Sequence, residues 1–66
     1  MAFVPPKTER MARALLALWI MDCERTDDWP SREKLDRAWN GYSQFMRDAW
    51  VERAESVLAY VGPRSV

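Results

Sequence analysis

The groups able to do chemistry in this sequence gather in one stretch: Asp22, Cys23, Glu24 and Arg25, with Asp27 and Asp28 just beyond. Cys23 is the single cysteine, and the chain has no histidine. The commonest general base is therefore missing, and a thiol nucleophile lacks the imidazole that would activate it. An isolated cysteine at a helix end reads as a small packing residue. The carboxylates Asp22, Glu24, Asp27 and Asp28 lack calcium-loop spacing and read as a solvated acidic corner. One thiolate cannot close a tetrahedral zinc shell. No glycine-rich phosphate loop is present. The expectation is a protein that is not an enzyme and holds neither cofactor nor metal.

What the sequence has in place of reactive groups is contact residues. Four tryptophans in 66 residues is a heavy load for so short a chain. Tryptophan buries a large area and is enriched, with arginine, at interfaces. Trp19 and Trp39 fall near packing faces and read as core. Trp29, directly before Pro30, reads as a staple for the turn. Trp50 reads as the leading contact residue.

The balance of Lys+Arg and Asp+Glu is ten to ten, so the net charge is zero. This argues against a binder driven by phosphate neutralisation, and nucleic acid is an unlikely partner. The chain is 48% hydrophobic with only two glycines, which excludes disorder as a reading. Lys7, Arg10 and Arg13 ahead of the apolar run Ala14 to Met21 loosely imitate a secretion signal. That run is too short to span a bilayer and ends in Asp22-Cys23-Glu24 without a cleavage site. The expectation is a cytoplasmic chain with no membrane partner.

The elements that must position these residues are helical, and the fold class expected is all-α. Met1 to Pro6 read as an extended arm, because Pro5-Pro6 does not sit inside a helix. Helix 1 is expected over about 7–24, with Thr8 a usable cap, then a polar connection over 25–30. Helix 2 is expected over about 31–61, with Ser31 as cap and Gly62-Pro63 as stop. Asn40-Gly41 is its weak point. The stripe Leu35, Ala38, Trp39, Tyr42, Phe45, Met46 and Ala49 nevertheless keeps helical phase across it, favouring one long helix bent at Gly41 over two.

Such a hairpin hides too little. Helix 1 is apolar nearly all round, and its about 25 Å cannot cover the about 45 Å of helix 2. A homodimeric helical bundle, with the helix 1 segments central, is the architecture expected. The candidate protein-interaction residues, for target or dimer, are Trp50, Val51, Arg53, Ala54, Val57, Leu58 and Val61 on helix 2 and Leu16 and Ile20 on helix 1. Arg53 interrupts the helix 2 stripe; its stem packs while its head snorkels, or it pairs with a carboxylate across an interface. In a hairpin, a pair between Arg53 and Asp22 would have to be intermolecular.

The function expected is a protein-binding module that docks on a larger protein and inhibits or redirects it. Proteins of this size and style are often encoded by phages or mobile elements and act on host regulators, enzymes or defence systems. Two alternatives stand beside it. Arg32, Lys34, Arg37 and Arg47 would serve a small DNA-binding transcriptional regulator, although Glu33, Asp36 and Asp48 alternate with them as on a solvated helix face. A structural subunit of a larger assembly would show the same features.

Overall fold

In the computed structural model, which describes residues 4–61, three helices account for most of the chain: α1 (Pro6–Glu24), α2 (Arg32–Gly41) and α3 (Gln44–Val61). The chain is all-α over those residues, and none of these helices is long and apolar enough to cross a membrane. Phe3, the stop at Gly62-Pro63 and the first half of the N-terminal arm lie outside the described residues.

Helix α1 begins at Pro6, where a missing N–H costs nothing, and the Pro5 carbonyl accepts from Glu9 N–H at 3.0 Å. No side chain caps it; Thr8 is instead buried in the first turn. It ends in a Schellman motif, with Arg25 in the left-handed region at φ 52°. Arg25 N–H donates to Asp22 O and Thr26 N–H to Met21 O. The connection then doubles back, placing Trp29 and Pro30 beside Arg10, Arg13 and Ala14. Pro30 is buried and Trp29 is 55% exposed, so the proline closes this turn rather than the tryptophan. Ser31 caps α2, accepting from Lys34 N–H at 3.1 Å.

The expected long second helix is broken. Helix α2 stops at Gly41, Tyr42 is extended, and Ser43 starts α3 by accepting from Met46 N–H through Oγ and from Arg47 N–H through its carbonyl. A serine side chain competing for backbone N–H groups favours caps over helix interiors. Helical phase survives the break for a simple reason: α1 is the common partner of both segments. Each segment packs on α1, and the two make little contact beyond the turn joining them.

The break removes the length mismatch. Folded back, α3 lays Trp50 and Ala54 against Ala12 and Leu16 of α1, with Trp39 of α2 completing the core. Trp50 is 7% exposed and Ala54 has no exposure, so neither is left uncovered as a straight helix would leave it. The reorientation also carries Phe45 and Met46 out of the expected stripe, to 79% and 41% exposure. The Cα envelope measures 34 × 30 × 16 Å, about two packed helices thick in its short dimension.

Gly41 sits at the last position of α2 with negative φ and open space where a Cβ would project. Gly41→Ala is therefore expected to stabilise by about 0.5–1 kcal/mol through the unfolded chain's entropy. That would raise Tm by about 3–6 °C in a thermal melt. A fall in Tm would show that the interhelix turn depends on glycine.

Candidate protein-binding surface

Helices α1 and α3 meet at a pair of tryptophans. Trp19 lies one turn beyond Leu15 and beside buried Leu16 on α1, and Trp50 comes from the buried stripe of α3. Their rings form an edge-to-face pair, with centroids 6.2 Å apart and planes at 62°. This is the geometry aromatic quadrupoles prefer. The two rings differ in exposure: Trp50 is the floor, and Trp19 is 49% exposed.

Arg53 lies one turn after Trp50 and lays its guanidinium 5.0 Å from the Trp50 ring centroid. The expected interruption of the stripe is therefore a cation–π lid, with its head in water. On one side of the tryptophan pair runs a groove of about 460 Å³ whose wall includes Leu15, Ser56 and Val57. On the other is a smaller hollow of about 170 Å³ formed with Tyr42, Met46 and Ala49. Trp19, Trp50 and Arg53 belong to both, so the two form one apolar surface with a single arginine over it.

A second arginine–tryptophan unit fastens α2 to α1. Arg13 Nη1 donates to Asp36 Oδ1 at 2.5 Å while its guanidinium carbon lies 5.3 Å from the Trp39 ring centroid. Lys34 reaches Glu24 at 2.6 Å. Arg10, Arg32 and Trp29 border a cleft of about 450 Å³ beside this unit. At Lys34–Glu24 both side chains are about half exposed, where a pair contributes roughly 0–1 kcal/mol. Trp39, 4% exposed, carries the packing, as expected of it.

The residues expected at an interface divide into four groups. Leu16 and Ala54 have no accessible surface, so they are core residues and touch no partner while the bundle is intact. Trp50, Arg53 and Val57 come together in the groove. Val51, half-buried, faces the opposite side, where it borders a small cleft with Glu9, Trp39 and Arg47. Leu58 and Ile20 are half-buried, and Val61 is 54% exposed at the end of α3.

Trp19, which sequence reasoning assigned to the core, is half exposed. Its signal was present, because a helix apolar on every side must turn one of those sides outward in so small a bundle. Cys23, expected to pack, is exposed. Among the described residues, no three acidic or thiol groups gather closely enough to hold a metal ion. Arg53 and Asp22 form no ion pair with each other; Arg53 is engaged by Trp50. No protein-family model matches this chain, and no curated protein or solved structure does either.

Proposed function

We propose that this chain is a protein-binding module with no catalytic chemistry of its own, acting as a homodimer that docks on a larger protein and inhibits or redirects it. The observation that carries the reading is the Trp19–Trp50–Arg53 unit. Two indoles packed edge to face and a guanidinium, set in an open apolar groove, combine the residue types that dominate interface energetics. An exposed tryptophan left without further cover in a small soluble bundle favours a partner surface over tolerated exposure. The groove suits an apolar helix or strand segment from the target that carries a carboxylate to meet Arg53.

Affinity capture with quantitative mass spectrometry tests this, run in parallel with wild type, Trp19→Ala and Arg53→Glu. The reading expects a protein enriched by wild type and lost from both variants, each verified as folded by circular dichroism. Equal recovery of every captured protein by the folded variants would remove the groove from the reading.

A further inference from the structure

The outer face of α1 carries a pattern that the bundle covers only in part: Met11 packs against the core and Ala14 borders the cleft beside Trp29 and Pro30, while Lys7, Leu18 and Asp22 are exposed. At 100° per residue, Lys7, Met11, Ala14, Leu18 and Asp22 lie along one side of the helix. Thr8, Ala12 and Leu16, buried toward α3, lie on another. Lys7, Leu18 and Asp22 are exposed, Leu18 at 52%, and Met11 and Ala14 are half-buried. The spacing 7, 11, 14, 18 is the alternating four-and-three step of a helix–helix seam.

Together with the adjacent Leu15, the strip is also its own complement. A two-fold axis through the midpoint between Ala14 and Leu15 carries position 7 onto 22, 11 onto 18 and 14 onto 15. An antiparallel second copy of α1 would therefore meet Lys7 with Asp22, Met11 with Leu18 and Ala14 with Leu15. A parallel copy in register would set Lys7 on Lys7 and Asp22 on Asp22, which like charges oppose. Among the described residues, neither Lys7 nor Asp22 has an ion-pair partner within the chain. The small Ala14 at the centre lets the two axes approach toward the short end of the usual 8–10 Å.

We propose that a second copy of this chain docks on this face, with α1 antiparallel to α1 across a two-fold axis and Lys7 of each copy against Asp22 of the other. The proposal rests on the reading of the chain as a homodimeric binding module. It places self-association on the opposite flank of Leu15 from Trp19, so that Leu15 borders both the seam and the tryptophan groove while Trp19, Trp50 and Arg53 stay clear of the seam. Each terminal ion pair is exposed and individually weak, so the seam supports a reversible dimer rather than a permanent one.

Sedimentation equilibrium of the full chain, from about 5 μM to about 1 mM, reads this directly. Wild type is expected to follow a monomer–dimer equilibrium, and Leu18→Glu to stay monomeric. Lys7→Asp is expected to weaken dimerisation about tenfold or more, since symmetry turns two attractive contacts into two repulsive ones. Lys7→Asp combined with Asp22→Lys is expected to restore the wild-type constant to within about threefold. Both reversals suit the helix dipole, acid in the first turn and base in the last, so folding is preserved. A wild-type chain monomeric throughout, a Leu18→Glu variant that still dimerises, or a double reversal no better than the single would each overturn the proposal. Partner capture retained by Leu18→Glu but lost in Trp19→Ala separates the two surfaces, so either can fail without the other.

Discussion

Leu16→Ala is expected to leave most of the chain unfolded at 25 °C. Leu16 is the one large side chain with no exposure among the described residues, and it sits where all three helices converge. Its neighbours in the core include Ala12 and Ala54, which bring α1 and α3 together and have no reach with which to refill a hole. A leucine-to-alanine change at a site that cannot collapse costs about 2–5 kcal/mol. A chain of this length holds only about 3–5 kcal/mol in all. The loss therefore consumes most or all of the stability. A urea titration followed by far-ultraviolet circular dichroism, at fixed protein concentration because association adds apparent stability, should show a midpoint near zero denaturant. Leu18→Ala, half exposed two residues away on another side of the helix, should keep its midpoint close to wild type when both are measured dilute enough to be monomeric. Equal midpoints for Leu16→Ala and Leu18→Ala would mean that the core is not built around Leu16.

What the sequence revealed and what it hid follow from how locally each feature is determined. The starts of α1 and α2 were legible because the signals sit at the site of action: Pro6 at a first turn, and Ser31 three residues before Lys34. Other features depended on tertiary context. The end of α1 is closed by Arg25 in a left-handed conformation, where glycine is usual, so no residue type announced the motif. The break at Tyr42–Ser43 was concealed by an apolar stripe that two separate helices inherit from a shared partner. That error propagated. A straight second helix strands Trp50 and Ala54 in solvent, and the interface expected there was drawn partly from residues that the turn buries. Arg53 stays exposed because it flanks the buried stripe, and Val57, which continues that stripe past Ala54, is half-buried. Trp19 was misplaced because burial of an all-apolar helix cannot be assigned to one side until its neighbours are known.

Trp19→Ala is expected to weaken partner binding about thirtyfold or more while sparing the fold. Half of the indole is already in water, so folding loses mainly its edge-to-face contact with Trp50, about 0.5–1.5 kcal/mol. A bundle that tolerates such a loss still folds at 25 °C, with Tm lowered by several degrees. Binding loses far more, because a central aromatic anchor typically contributes 2 kcal/mol or more, about thirtyfold in affinity. Trp50→Ala makes the useful contrast. At 7% exposure it forms the floor of the groove and part of the core, and its removal costs about 3–5 kcal/mol of folding. Loss of binding in that variant says nothing about contact. The discriminating measurement is therefore the dissociation constant of the captured target for folded Trp19→Ala beside folded Phe45→Ala. Phe45 is 79% exposed and lines neither the groove nor the hollow beside the tryptophan pair. An affinity unchanged by Trp19→Ala and reduced by Phe45→Ala would move the binding surface to the start of α3 and leave the Trp19–Trp50–Arg53 unit as a purely structural clasp between two helices.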